Sequence, residues 1–317
     1  MAGDAGGAGL RSLLGRWRVP LQIAVAALVL ALVGSRLAAN WQQYRAARLS
    51  LALAPGWIAL SVAALVLVSL LQIESWRRMI AGWHRLPGLA AAARVWFLSN
   101  LGRYIPGKVW SVAGMVVLAE REGIPRWTAA GSAVAVQALG IGTAAALVAI
   151  ATPHAYSPLR LAGAVALAAG TVGLLAWRGT LPRVGRLLGA ATEWRALPLR
   201  AVLVSAVLTF LAWGAYGLAF WALARGLGLP ALPFATATGV FTLGYVVGLL
   251  VLFAPGGIGF REAILFTLLT PFVGSGGALA LSVASRLELT LAEATAGLAV
   301  LALARRNKEE LLGAPRS

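Results

Sequence analysis

The side chains best placed to do chemistry in this sequence are charged residues that interrupt long apolar stretches. The segment NLGRYIPGKVW, residues 100–110, carries Arg103 and Lys108 on either side of Pro106-Gly107. Proline removes a backbone donor and glycine permits unusual dihedral angles, so this pair predicts the end of one helix and the start of another. Freed backbone groups in hydrocarbon cost several kcal/mol each, and we therefore expect the break to be buried in protein or to line a wet cavity.

A second segment, FAPGGIGFREA, repeats this pattern at residues 253–263. Arg261 and Glu262 follow its Pro-Gly pair closely. A helix that begins after such a break directs free N–H groups and the positive end of its dipole at the gap, which favours an anion. The residues that we expect to form the two breaks are Pro106, Gly107, Pro255, Gly256, Gly257 and Gly259.

The last apolar stretch carries three further charges in SVASRLELTLAEATAG. Arg286 and Glu293 are seven residues apart and so share one helical face, whereas Glu288 points roughly the opposite way. Because isolated charges in a membrane are expensive, we predict a buried network of Arg286 with Glu262 or Glu293. The alternative is a structural brace without a role in transport.

The two breaks also have simpler interpretations. Arg103 and Lys108 can extend to the membrane interface and contact ordinary lipid phosphates. Arg261 and Glu262 can form a structural ion pair in which Glu262 is an acidic first-turn residue. The anion-site hypothesis assigns substrate binding to Arg103, Tyr104, Lys108, Arg261, Glu262, Arg286 and Glu293.

The elements that must position these residues are membrane helices. The 317-residue chain is 60% hydrophobic and only 12% charged, which excludes a soluble domain of this length. It contains no cysteine. Its net charge of +17 lies mostly in short segments beside apolar runs, as cytoplasmic loops require, and not on a module that could bind nucleic acid. We expect an all-α, polytopic bundle with two Pro-Gly-broken segments.

Apolar runs of about 20 residues mark the spans. We predict an N-terminal tail at 1–19, one transmembrane domain at 20–304 and a C-terminal tail at 305–317, with 20–37 an uncleaved first span. The long runs are 20–37, 51–73, 128–151, 159–177, 201–224, 233–253 and 276–304, and the shorter ones are 89–104 with 109–118, and 258–272.

The distribution of Lys and Arg sets the orientation. If 89–118 forms two legs that enter and leave on one side, eighteen cations fall inside and five outside. Both termini are then cytoplasmic in a multi-pass protein of the cell (inner) membrane. The count of cations does not distinguish a segment 89–118 that turns back within the membrane from two legs that each cross it, because both give the same distribution.

The two broken segments predict an inverted repeat. Aligning Pro106 with Pro255 also matches Gly107 to Gly256, and the loop charges bring the two segments in from opposite sides. Paired interruptions of this kind indicate a transporter site near the bilayer midplane.

The inventory of acid, base and metal-ligand groups argues against an enzyme. The only Asp is Asp4 in the N-terminal tail, and His84 and His154 lie in separate predicted loops. No His, Asp and Glu cluster has metal-ligand spacing, so we expect no metal, no cofactor and no catalytic residue.

Some single residues have plainer interpretations. We expect Trp41, Trp57, Trp76, Trp177 and Trp194 to be interfacial anchors. Gln137, in the middle of a span, is expected to form a hydrogen bond between helices and not to contact a ligand. Glu120, Arg121 and Glu122 have the pattern of a solvated loop, and the glycines of GVFTLGYVVG that of helix packing.

Together the two motifs are similar to a known membrane family. NLGRYIPGKVW with AEREGIP, and APGGIGFREAILFTLL with ASRLELTLAEATAG, resemble the lysylphosphatidylglycerol synthase transmembrane region family, also called flippase-like or UPF0104, over about 51–304. The resemblance implies a protein that moves lipids or lipid-linked precursors between leaflets. Relatives that make aminoacylated lipids carry a large soluble domain after the membrane part, and this sequence ends at Ser317, so synthase activity is not implied.

The function that we expect is translocation of an anionic lipid or a polyprenyl-phosphate-linked precursor. Its partners are then membrane lipids with anionic or phosphate headgroups. One alternative is a non-transporting partner or scaffold of an envelope lipid or glycan enzyme, which predicts a stable stoichiometric complex. Another is an intramembrane lipid-modifying transferase, which the acid–base inventory disfavours.

Overall fold

The described part of the chain is entirely helical apart from its turns. The computed structural model describes residues 53–104, 109–151, 158–187, 189, 194–229, 231–251, 257 and 259–313, with the backbone alone at 103–104, 109 and 304–313. A 3₁₀ turn, Leu101–Tyr104, follows the second helix. The helices are α1 (Pro55–Ala81), α2 (Leu89–Asn100), α3 (Val109–Arg121), α4 (Arg126–Ala151), α5 (Pro158–Ala176), α6 (Thr180–Leu187), α7 (Leu199–Gly226), α8 (Phe234–Leu250) and α9 (Phe260–Gly313).

Five of these helices are long and apolar enough to cross a bilayer, which confirms the expectation of an all-α, polytopic membrane protein. They are α1, α4, α5, α7 and the Phe260–Leu303 part of α9. The predicted first span, 20–37, lies outside the described residues. The run at 233–253 forms the shorter apolar helix α8.

Helices α1 and α7 form the central antiparallel pair. At one end the Ala54 N–H donates to the Gly226 carbonyl at 2.9 Å. Further along, the Ser61 hydroxyl donates to the Ala219 carbonyl at 2.8 Å, and the Ser75 hydroxyl donates to the Ser205 carbonyl at 3.2 Å. Small polar side chains therefore hold the two helices in one register along their whole length, as is common between membrane helices.

Helices α2 and α3 form an antiparallel hairpin. A Cβ built on Gly114 of α3 would lie 3.8 Å from the Ser99 Cβ of α2. At the open end, Arg94 donates to both carboxylate oxygens of Glu122, at 3.0 and 2.9 Å. The legs have 12 and 13 residues, or about 18 and 20 Å, and are each shorter than a hydrocarbon core of about 30 Å. The Pro106-Gly107 pair between them lies outside the described residues.

Helix α8 and the first part of α9 form a second antiparallel hairpin. Gly257 has a φ of 70°, and a Cβ there would lie 2.6 Å from the Gly248 Cα, so the two backbones touch. Gly244 similarly receives Leu265 of α9, as expected for packing glycines. Helix α9 then turns at Gly274, where φ is 71° and ψ is 166°. This turn separates the predicted runs 258–272 and 276–304.

One sequence-based interpretation is wrong for two residues. Trp76 and Trp194 are not interfacial anchors, because both are buried within the protein. The Trp76 N–H donates to the Ser132 hydroxyl, and the Trp194 N–H donates to the Trp127 carbonyl. Glu120, Arg121 and Glu122 are exposed, as expected, and Glu122 also pairs with Arg94 at the base of the hairpin.

Candidate functional site

Arg261 is a buried cation on the first turn of α9. Its side chain is only 5% exposed, and its guanidinium carbon lies 4.8 Å from the ring centre of Phe241 and 5.8 Å from that of Tyr245, both on α8. Within the described part of the chain, Nε and Nη2 of Arg261 have no hydrogen-bond partner. Aromatic faces stabilise a guanidinium but leave its donor edge available. Arg261 is therefore equipped to bind an acceptor that the described residues do not supply.

Arg286, the second buried arginine, has a protein partner. Its Nη1 donates to Oε1 of Glu262 at 2.6 Å, and Oε2 of Glu262 accepts from the Gly259 N–H at 2.7 Å. The second bond is the backward half of a capping box, in which a third-position glutamate satisfies the N–H of the capping residue. Glu262 thus ties the N-terminus of α9 to the later part of the same helix.

The Glu262–Arg286 pair lies near the middle of the bundle. Each residue lies twelve positions from the Gly274 turn, one on either side, or about 18 Å along its helix. The expected network is confirmed in its Arg286–Glu262 form, and Glu293 lies on the same face of the helix, against the cavity described next.

A cavity of about 510 Å³ lies beside this network, and residues of seven helices line it. Arg261, Arg286 and Glu293 supply its charged lining. Asn100 and Ser111, at the inner ends of the α2–α3 hairpin, line the same space. The two hairpins therefore meet at one cavity, to which each contributes the ends of its helices.

Aromatic rings form one wall of the cavity. Trp213, Tyr216 and Tyr245 all line it, and the Tyr216 and Tyr245 rings lie 5.5 Å apart between centroids. Trp213 is 5.4 Å from Tyr245, edge to face, and its indole N–H donates to the Gly140 carbonyl of α4. Packed rings of this kind fix the position of Arg261 on the wall.

The cavity reaches the outer surface of the bundle between α3 and α8. Val112 of α3 and Leu250 of α8 both line it and are 38% and 58% exposed. These two side chains give the cavity an apolar rim at the surface of the described residues. A molecule with a polar head and an apolar tail would find both environments there.

The other predicted binding residues are only partly placed. The backbones of Arg103 and Tyr104 form the end of the 3₁₀ turn that follows α2, directly beyond the cavity-lining Asn100. The remaining predictions at the two breaks lie outside the described residues: Lys108, Pro106, Gly107, Pro255 and Gly256.

Sequence reasoning missed the amide side chains of the cavity. Gln72, Asn100 and Gln137 all line it. Gln137 was expected to bond to another helix, and in the described part of the chain its side chain is exposed to the cavity. Neutral amides give no charge signal, so only their position inside apolar runs could have identified them.

Residues 19–297 match the family described as Lysylphosphatidylglycerol synthase TM region. The chain belongs to this family. The match includes both hairpins, Arg261, Arg286 and Glu293, and also the 20–37 run. No curated protein and no solved structure matched the chain.

Family membership and the five long apolar helices together establish a multi-pass membrane protein. Within the family domain, the charged side chains that line the cavity come from its C-terminal half, and the tip of the α2–α3 hairpin comes from its N-terminal half. The site is thus assembled from both halves of the matched region.

Proposed function

We propose that this protein moves an anionic lipid, or a polyprenyl-phosphate-linked precursor, between the two leaflets of the cell (inner) membrane. Its ligands are membrane lipids whose headgroup carries a phosphate or another anion. Both termini are cytoplasmic, so that the α2–α3 hairpin enters from the cytoplasmic side and the α8–α9 hairpin from the other side, as an inverted repeat.

Arg261 is the observation that carries this proposal. A buried cation costs several kcal/mol unless a partner compensates it. Arg286 has Glu262, whereas Arg261 rests on two aromatic rings with Nε and Nη2 unbonded within the described residues. A phosphate matches the planar donor edge of a guanidinium in a bidentate arrangement. An incoming headgroup would therefore complete the hydrogen bonding of Arg261.

The shape of the cavity supports a lipid over a small soluble anion. Its volume of about 510 Å³ suits a headgroup, since ligand pockets commonly enclose about 300–1,000 Å³. The rim of Val112 and Leu250 lets an acyl or isoprenoid chain stay in the bilayer while the headgroup occupies the cavity.

The carboxylate of Glu262, which bonds to Arg286, is consistent with transport and not with catalysis. Both oxygens of Glu262 already accept hydrogen bonds, one from Arg286 and one from the Gly259 N–H. A general base or nucleophile needs an oxygen available to the substrate. We therefore assign binding and no catalytic role to Glu262.

The test is headgroup translocation in proteoliposomes, with Arg261→Gln compared against Arg225→Gln. Arg225 is a matched control because it also stacks on an aromatic ring, 5.1 Å from Trp221, but lies outside the cavity. We expect Arg261→Gln to slow translocation about tenfold or more, as for loss of a charge-assisted hydrogen bond of about 1.5–3 kcal/mol, and Arg225→Gln to leave it unchanged.

Equal translocation by both variants would contradict the role of Arg261. No translocation by the unmodified protein, together with a stoichiometric complex with an envelope enzyme on mild solubilisation, would favour the scaffold function instead. Product formation from labelled lipid would favour the transferase.

A further inference from the structure

Glu288, in the later part of α9, is a charged residue that the proposed transport site does not use. Arg286 and Glu293 on the same helix line the cavity between the hairpins, and Glu288 does not. Its Oε1 atom is buried and has no hydrogen-bond partner within the described part of the chain. Buried polar atoms are normally satisfied, so the state of this carboxyl group needs an explanation of its own.

The Glu288 carboxyl lies within hydrogen-bonding reach of the Ser61 hydroxyl on α1. Ser61 is completely buried, and its hydroxyl donates to the Ala219 carbonyl of α7 at 2.8 Å. Because a hydroxyl carries a single proton, the Ser61 oxygen can act towards Glu288 only as an acceptor. A hydrogen bond between these two side chains therefore needs a proton on Glu288.

Among the described residues, no cation forms an ion pair with Glu288. An ionised Glu288 would be an unpaired charge in the apolar interior, whereas the neutral acid donates to Ser61 and leaves only a carbonyl oxygen unbonded. The titratable and charged residues of α9 up to Leu303 and of the helices on which it packs are Glu74, Arg77 and Arg78 of α1, Arg94 of α2, Arg200, Tyr216 and Arg225 of α7, Tyr245 of α8, and Arg261, Glu262, Arg286 and Glu293 of α9.

The position of Glu288 on α9 links it to the cavity. Arg286, Leu289 and Thr290 lie on the same turn of this helix and line the cavity. Helix α9 packs mainly on α8 and α2, and only lightly on the α1–α7 pair that carries Ser61. A displacement of α9 as a headgroup passes would separate Glu288 from Ser61, and a carboxyl group that reaches water releases its proton at neutral pH.

We propose that Glu288 is a proton-binding site, and that the uptake and release of its proton are coupled to movement of the headgroup through the cavity. The ligand is a proton because the carboxyl group needs one in order to donate to Ser61. A proton gradient is then the energy source of translocation. The coupling rests on the function proposed above, and the proton site does not.

Infrared difference spectroscopy of the full-length protein, at neutral pH in a detergent without ester groups, tests the proton site. The spectrum of the unmodified protein minus that of Glu288→Gln should contain the C=O stretching band of a protonated carboxylic acid, which a carboxylate lacks. Ser61→Ala should shift this band, because the acid loses its acceptor. Glu74→Gln is the matched control, since Glu74 pairs with Arg77 and Arg78 and its difference spectrum should contain only carboxylate bands.

Translocation in proteoliposomes under an imposed pH gradient, with the membrane potential clamped at zero, tests the coupling. For the unmodified protein, a gradient of about one pH unit should shift the distribution of an anionic phospholipid between the leaflets about tenfold, as for one proton per headgroup. Glu288→Gln resembles the neutral acid but cannot release a proton, so it should give no shift. Glu74→Gln should respond as the unmodified protein does.

A Glu288→Gln difference spectrum without an acid band would overturn the proton site, and the Ser61→Ala spectrum decides the same point if Glu288→Gln does not fold. An equal shift of the lipid distribution with and without Glu288→Gln, or no shift in the unmodified protein, would overturn the coupling. A protein that translocates no lipid at all would remove the proposed function, while an acid band would still establish the proton at Glu288.

Discussion

Two buried arginines of α9 differ in how their charge is balanced. Arg286 is 6% exposed and bonds to Glu262, whereas Arg261 is 5% exposed and rests on aromatic rings. The high cost of a lone charge in a membrane was enough to predict the Arg286 network from sequence. The sequence does not decide between Glu262 and Glu293 as the partner of Arg286. That choice depends on the turn at Gly274, which folds one part of α9 back on the other.

The stability of the protein should depend on the Glu262–Arg286 pair. Glu262→Gln leaves the buried charge of Arg286 without this carboxylate, so we expect a loss of about 2–4 kcal/mol of unfolding free energy. Arg286→Gln should lose less, because Glu262 is 25% exposed and keeps its bond from the Gly259 N–H. The double variant should lose less than the sum of the two. Denaturation of the purified protein in detergent measures these losses.

Glu74→Gln is the control for this cycle. Glu74 pairs with Arg77 and Arg78 on α1, whose side chains are 15% and 46% exposed against 7% for Arg286, so we expect a loss of about 1 kcal/mol or less. Additive losses in the Glu262–Arg286 cycle would show that the two side chains do not interact.

At the element scale, the two hairpins decide where the site forms. The pairing of α2 with α3 as a hairpin could be predicted from Pro106-Gly107 and from the loop charges, and the break itself lies outside the described residues. The depth to which the legs enter the membrane could not be predicted, because a re-entrant turn and two full crossings give the same charge pattern. The structure gives the length of the legs: α2 ends at Asn100 and α3 begins at Val109, which leaves helices of about 18–20 Å.

The α2–α3 hairpin can be tested by a disulfide in this cysteine-free chain. Ser99→Cys with Gly114→Cys places two Cβ atoms about 3.8 Å apart, within the usual range for a disulfide. We expect this pair to oxidise completely on mild treatment, as read by mass spectrometry. Ser99→Cys with a cysteine at the exposed Val117 is the control that should stay reduced, and the reverse result would rule out this packing of the legs.

The α8–α9 hairpin depends on the close approach of Gly248 and Gly257. Gly257→Ala combines a positive φ of 70° with a Cβ only 2.6 Å from the Gly248 Cα, so we expect a loss above about 2 kcal/mol. Gly259→Ala has a similar φ of 89° but open space around its Cβ, and should lose about 1–2 kcal/mol. Thermal unfolding in detergent compares them, and equal losses would argue against the contact.

At the scale of the whole molecule, one end of the bundle is basic. The pairing of α1 with α7 places Ala54 and Gly226 at one end, and Trp83 and Arg195 at the other. Charge counting predicts the second end to be cytoplasmic. The cavity itself could not be predicted as a shape, because its uncharged lining comes from segments that are far apart in sequence, such as Gln72, Gln137 and Tyr245.

Single cysteines read the orientation directly. We expect Arg225→Cys to react with a membrane-impermeant thiol reagent in intact cells, because Arg225 lies at the outer end of α7 and is exposed. Arg195→Cys should react only after permeabilisation, because the cation-rich loops stay in the cytoplasm. The opposite labelling pattern would reverse the orientation of both hairpins.

The most direct measurement of the central claim is a structure of the protein in nanodiscs that contain an anionic phospholipid. We expect headgroup density in the cavity between the hairpins, with a phosphate oxygen about 2.7–2.9 Å from a guanidinium nitrogen of Arg261 and its chains leaving past Val112 and Leu250. A cavity filled by apolar side chains, or a headgroup bound only at the rim, would contradict an anion-translocating site.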